Sequence, residues 1–253
     1  MFKYLVLLER RAGTAHDGFV NFIENEYLSH QLACLPYVKT RRSNFLKAGG
    51  GVVAALIADI PPGPPYHVIL ENWLAEGDLE RLRRDLNDPR TQRRLREAGG
   101  DWLRPGGARA VAVEERETAP HELGSARGAT DDGSMIKQIA NMKALPQMTY
   151  SEFVSYYETQ HATMAARLVP TFAKYVRNFV LPDPALQADL NPGKSWRADF
   201  DVMTQMWFQD ATAYKEFGQS FGRAEIARAF AEDEAKLFDR KSIQLFNVEE
   251  HVR

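Results

Sequence analysis

Phe153-Val-Ser-Tyr-Tyr-Glu-Thr-Gln-His-Ala-Thr-Met-Ala-Ala-Arg-Leu168 is the stretch on which the reading of this chain turns. Phe153, Tyr157, His161, Met164 and Leu168 recur at helical spacing, so the segment reads as an amphipathic helix with a histidine on its apolar face. Thr149-Tyr-Ser-Glu152, just before it, is a capping-box pattern: the Thr hydroxyl and Glu carboxylate satisfy free amides at the helix start. The segment has a counterpart from Phe19 to Cys34, where Tyr27 holds the place of His161.

That correspondence extends along the chain. Met1-Phe-Lys3 matches Met135-Ile-Lys137, and the same offset aligns Glu24 with Glu158, Pro36 with Pro170 and Asn44-Phe45 with Asn178-Phe179. It returns at Val68 and Val202 and at Trp73 and Trp207; Glu114-Glu115 meets Glu249-Glu250 after a one-residue slip. Each copy predicts βαββαβ. The strands expected in the first are Phe2 to Leu8, Thr40 to Lys47, Tyr66 to Trp73 and Ala108 to Glu115. In the second they are Ile136 to Met142, Lys174 to Val180, Phe200 to Phe208 and Ser242 to Glu250. The organisation that follows is a repeat at 1–117, a linker at 118–134 rich in Gly, Ser, Thr and Asp, and a repeat at 135–253.

One βαββαβ unit makes an antiparallel sheet with both helices on one face. Leu5-Val6-Leu7-Leu8 and Ile243 to Val248 are largely apolar on both faces, so the face away from the helices is expected to be buried too. Packing the two sheets face to face as a pseudo-two-fold barrel achieves this. The fold class is therefore α+β. Between the second and third strands lie unequal loops, Ala48 to Pro65 and Leu181 to Asp199, of the kind that cover pockets. Gly49-Gly50-Gly51 in the first lacks the Lys-Ser/Thr and the strand-to-helix setting of a phosphate loop.

Bulk properties exclude several functions. The chain has 253 residues and a formal net charge of −2, so no global basic field would hold nucleic acid or an anionic membrane. Arg81 to Arg96 is interleaved with acids and reads as a solvated helix face. Cys34 is the only cysteine, which rules out an internal disulfide and a Cys-based zinc site. No signal peptide or membrane-length apolar run is present, and the expected setting is the cytoplasm.

Met135-Ile-Lys137, the capped helix with Tyr156-Tyr157 and His161, Tyr175-Val-Arg-Asn178, Asp201, Trp207-Phe208 and Val248-Glu-Glu-His251 together resemble the EthD family. The first copy is a degenerate match, with Tyr27 where the family helix carries histidine. The resemblance implies two ferredoxin-like repeats, with the usual dimer of the dimeric α+β barrel superfamily fused into one chain. It also implies degradation of ethers or aromatic compounds, or tailoring of polyketides. Superfamily relatives include cofactor-free monooxygenases, decarboxylases, isomerases and haem-binding enzymes.

His161 is the first candidate. Histidine is the side chain that gives or takes a proton near neutral pH, and the competing reading is a core histidine bonded to backbone. Tyr157, one turn earlier, is a candidate donor to a developing oxyanion or an aromatic core filler. Met164 shares their face, and the equivalent face of the first copy carries Tyr27, His30 and Cys34. His67 on the third strand of the first copy, Asn178 and Trp207 are further candidates for lining a substrate cavity. No metal-ligand spacing occurs.

The expected function is a cofactor-free enzyme with one working pocket, in the C-terminal half, the N-terminal half closing the barrel around it. His161 and Tyr157 would be catalytic, in a lyase or isomerase acting on a small hydrophobic, aromatic or polyketide-like substrate. The alternatives are a cofactor-free monooxygenase, or a haem or hydrophobic-ligand binder with His161 or His30 as axial ligand. A homodimer of the fused barrel is among the assemblies open to it.

Overall fold

The computed structural model describes residues 1–47, 64–123 and 135–253. Gly49 to Gly51 and most of the 118–134 linker lie outside these residues. Eight strands form one closed antiparallel barrel. They are β1 (Phe2–Arg10), β2 (Lys39–Leu46), β3 (Val68–Leu74), β4 (Leu103–Glu117), β5 (Ile136–Ala144), β6 (Phe172–Val180), β7 (Val202–Phe208) and β8 (Phe238–Val252). Around the barrel the order is β1-β3-β2-β8-β5-β7-β6-β4. The N-terminal half thus contributes β4-β1-β3-β2 and the C-terminal half β8-β5-β7-β6, the same order twice.

Sequence patterning anticipates two sheets face to face. The structure adds that their edges hydrogen-bond as well. β2 pairs with β8, with Asn44 opposite Glu250, and β4 pairs with β6, with Glu115 opposite Asn178. Among the described residues, closure leaves no sheet edge unpaired.

Alternate strand residues point into the barrel. One part of the interior is apolar, with Leu5, Leu7, Ile69, Val111, Ile139 and Met203 packed together. Further along the same strands it is charged. Glu71 is fully buried, with Lys3 Nζ at 2.8 Å and Lys137 Nζ at 2.9 Å. Lys137 also donates to Asn44 Oδ1 at 2.7 Å and Glu250 Oε1 at 2.8 Å. Gln205, 134 residues from Glu71, donates to it at 2.9 Å. Burial pushes the Glu71 carboxyl up, but Lys137, Lys3 and Arg42 outweigh it and hold it well below the ordinary carboxylate range. The interior is thus a packed core.

The helices cover the outside. Each half has a long first helix interrupted by a π-turn. In the N-terminal half it runs through His16–Phe22, the π-turn Ile23–Tyr27 and Leu28–Cys34. In the C-terminal half it runs through Tyr150–Tyr156, the π-turn Tyr157–His161 and Ala162–Leu168. Tyr27 and His161 each close their π-turn, a local irregularity that is frequent at functional sites. The capping box at Thr149 forms as expected, with Thr149 N donating to Glu152 Oε2 at 2.9 Å and Glu152 N to Thr149 Oγ1 at 3.3 Å. The N-terminal helix starts at Ala15 with no side-chain cap.

The second helical regions are Leu79–Asn87 with Pro89–Gly99, and Ala211–Ser220 with Ala224–Glu234. The loop after β6 holds a short helix that sequence patterning does not anticipate, Pro184–Asp189. Asp183 caps it, accepting from Leu186 N at 2.9 Å, and Pro184 occupies its first turn. It sets Asn191 against β4, where the Asn amide exchanges bonds of 2.8 and 2.7 Å with the backbone of Ala110.

Candidate functional site

Between helices and sheet in the C-terminal half, His161 meets a carboxylate. His161 Nδ1 lies 2.6 Å from Asp233 Oδ2, and both residues are buried. Tyr156 donates its hydroxyl to the other carboxylate oxygen, Oδ1, at 3.1 Å. The Asp is therefore held from both sides, and it fixes which imidazole nitrogen is engaged. Burial, helped by Asp233, raises the Glu234 pKa, against the lowering effect of His161 and Arg240.

Aromatic rings enclose the dyad. Tyr157, Phe238 and Phe230 stand with ring centroids 4.8, 5.3 and 6.1 Å from that of His161, all edge-on. The Tyr157 hydroxyl lies 2.7 Å from Thr204 Oγ1 and 3.3 Å from the Tyr175 hydroxyl. Burial pushes its pKa well above the phenol range, so it stays protonated, suited to donating rather than accepting a proton. Beside it Arg177 makes a two-pronged pair with Glu158, Nε to Oε1 at 2.9 Å and Nη2 to Oε2 at 2.5 Å.

Of the sequence candidates, His161 and Tyr157 come together, and Met164 packs half-buried against the same core. The others lie elsewhere. Trp207 and Asn178 face the barrel interior: the Trp207 indole donates to Glu250 Oε2 at 2.8 Å and Asn178 Nδ2 to the Met203 carbonyl at 3.2 Å. His67, at the entry to β3, accepts from the Arg10 amide at 3.2 Å, and burial lowers its pKa. His30 is exposed, so it offers no buried axial ligand, and it does not border the described cavity. Leu28 is buried beside Tyr27, which centres the inward face between them. At about 100° per residue, that places Gln31 inside and His30 outside.

The described cavity lies in the other half from the expected working pocket. A cavity of about 350 Å³ lies in the N-terminal half, bordered by Tyr27, Gln31, Leu95 and Leu103. The reason is side-chain size. Pro89–Gly99 and Ala224–Glu234 are both 11 residues long, which pairs Leu95 with Phe230 and Ala98 with Asp233. β4 and β8 are both 15 residues long, which pairs Leu103 with Phe238. Leucines border open space where phenylalanines fill it.

Sequence reasoning missed Asp233, Tyr156 and Gln31. Asp233 carried a usable signal: Ile226, Phe230 and Asp233 are the buried positions of their helix, so it is an acid on an apolar face, the criterion that picks out His161.

Residues 145–241 match the EthD domain. No curated protein matches the chain significantly. Among solved structures, an anthrone oxidase-like protein is similar over 99% of this chain and 92% of its own, with 13% identity and a TM-score of 0.57. A proposed monooxygenase from Fusobacterium nucleatum is similar over 98% of this chain and 91% of its own, with 6% identity and a TM-score of 0.52. A mutant chlorite dismutase from Candidatus Nitrospira defluvii, at 10% identity, covers 98% of this chain and 90% of its own with a TM-score of 0.47. The first two likenesses are likenesses of fold alone. Among the described residues no helix is long and apolar enough to cross a membrane.

Proposed function

We infer that this protein is an enzyme that takes a proton from a small aromatic or polyketide-like substrate without a bound cofactor, with His161 as the base and Asp233 as its positioning partner. The observation that carries this reading is the 2.6 Å contact between His161 Nδ1 and Asp233 Oδ2 within an aromatic shell. With Nδ1 engaged, Nε2 is the nitrogen left to accept a proton, and Asp233 stabilises the imidazolium that forms. The protonated Tyr157 phenol, on a ring 4.8 Å from the imidazole centre to centre, is the donor assigned to a developing enolate or phenolate.

Several fates are open to the resulting anion. The lyase or isomerase outcome gains no support beyond the base itself. The two neighbours described as anthrone oxidase-like and as a monooxygenase favour attack on dioxygen instead, by analogy of fold. The test is turnover of a phenolic substrate with oxygen uptake. His161→Ala should lower kcat by about 10²–10⁴, and Asp233→Asn should fall in the same direction. Near-wild-type turnover by His161→Ala removes the assignment.

We also read the chain as tandem ferredoxin-like repeats at 1–117 and 135–253, joined by 118–134. Supporting this are the repeated strand order, the paired π-turns and the matched Lys3 and Lys137. The barrel closes within one chain, so a homodimer, if formed, is built on outer surfaces.

A further inference from the structure

The N-terminal cavity has the parts of a second ligand site, separate from the His161–Asp233 dyad. Its walls are largely apolar, including Val6, Leu35, Leu95 and Leu103, and about 350 Å³ is room for about a dozen waters or a ligand of that bulk. Three polar side chains reach it from buried positions: Tyr4, Tyr27 and Gln31, only 2%, 5% and 5% exposed. The Gln31 amide nitrogen is committed to Thr40 Oγ1 at 3.0 Å and Asn72 Oδ1 at 3.1 Å. Among the described residues its carbonyl oxygen takes no hydrogen bond, and the hydroxyls of Tyr4 and Tyr27 make none. These atoms open onto the cavity rather than being sealed in the protein, so together they present two hydroxyl donors and a carbonyl acceptor to whatever fills it.

The rim is cationic. Arg96 and Lys194 border the same cavity, and among the described residues neither is paired with a carboxylate, whereas Arg104 beside them is held by Glu9 at 2.9 Å; the Arg109 side chain leaves β4 on the opposite, barrel-interior face and stacks on Trp196, 5.4 Å from the ring centre. Lys194 comes from the C-terminal half and donates to the Ala108 carbonyl. Partial burial, then Arg109 and Arg96, lowers its pKa, as expected of cations gathered without a counter-ion. Burial, and secondarily Cys34, raises the Tyr27 pKa to about 12, and burial raises that of Tyr4 further, so both phenols remain donors.

We propose that this cavity binds a small hydroxyaryl carboxylate, its carboxylate at the Arg96 and Lys194 rim, its ring system against the leucines and its hydroxyl among Tyr4, Tyr27 and Gln31. The hydroxyl accepts from a phenol and donates to the Gln31 carbonyl, which satisfies both kinds of unpaired atom.

The test is a fluorescence titration of the full chain with 6-hydroxy-2-naphthoic acid. 2-Naphthoic acid, which lacks the hydroxyl, and 2-naphthol, which lacks the carboxylate, serve as comparisons. Saturable binding of the hydroxy acid, tighter than either comparison, is expected. Arg96→Gln with Lys194→Gln should weaken the two acids about tenfold or more and leave 2-naphthol unchanged. Tyr27→Phe should erase the advantage of the hydroxy acid over 2-naphthoic acid. Ala110→Phe should block all three probes. If that variant fails to fold, the rim substitutions, which lie outside the packed core, still decide. His161→Ala should bind normally, which separates failure here from failure of the dyad. The proposal is overturned if 2-naphthol binds as tightly as the acids, if the rim variant binds like the parent, or if no probe saturates.

Discussion

The helix–sheet spaces of the two halves share a frame and differ in filling. In the C-terminal half, Phe230 and Phe238 close around an imidazole that a carboxylate holds in place. In the N-terminal half, Leu95 and Leu103 stand in the matching places, Ala98 matches the carboxylate, and Tyr27 looks into open space. The exchange of a few side chains turns one helix–sheet space into a packed shell around a dyad and the other into a cavity. Backbone symmetry therefore does not predict where open space lies; side-chain volume does.

The comparison breaks first at the base. His161→Ala should remove about 10²–10⁴ of kcat, while Tyr27→Phe should leave turnover intact, as steady-state assays would show. Equal losses from both would mean that the halves act together.

The next test is in the barrel interior. Glu71→Leu strands Lys3 and Lys137 without a shared acceptor and should cost about 3–5 kcal/mol in urea unfolding. Gln205→Met, across the barrel, loses one amide bond to a charged acceptor and should cost about 1.5–3 kcal/mol. Acid adds a sign. The folded Glu71 pKa lies below its unfolded value of 4.5, so its contribution is complete above that pH and is lost as pH falls through the folded pKa. A pH series of melts should therefore show a shallower acid limb for Glu71→Gln than for the parent.

Packing gives a third contrast. Phe238→Ala should cost about 3–5 kcal/mol, and Leu103→Ala about 2 kcal/mol, the low end for a leucine, because Leu103 already borders a cavity. Chemical denaturation of both variants measures the gap. The smallest effect is at the helix starts. Thr149→Ala should lose about 1 kcal/mol, and Ala15→Ser, at the uncapped start of the other helix, should gain a similar amount in thermal melts.

Much of the fold was legible because matching residues recur at a fixed offset along the chain. Val68 and Val202, or Asn44 and Asn178, mark the same strand positions, and the hydrophobic period marks the helices. The dyad was half legible. His161 stood out as polar on an apolar face, and Asp233 sends the same signal from a helix far along the chain. What joins them is a tertiary approach that no local period encodes. Trp207 and Asn178 were assigned to a substrate cavity because alternation separates two faces of a strand without saying which one lies inside the barrel. The cavity was the least legible feature. It depends on leucine replacing phenylalanine on two different elements, and on a loop helix that brings Lys194 across from the other half.

The meeting of Gln205 with Glu71 has one more consequence. These residues occupy matching places on strands of opposite halves and touch near the centre of the barrel. In an assembly of two identical subunits, whatever sits at that spot must face its own copy, so a carboxylate there would confront a carboxylate. A single covalent chain is free of that mirror rule. It can set an acid against an amide, seat two lysines around one negative charge, and let each half carry a different residue wherever the two meet.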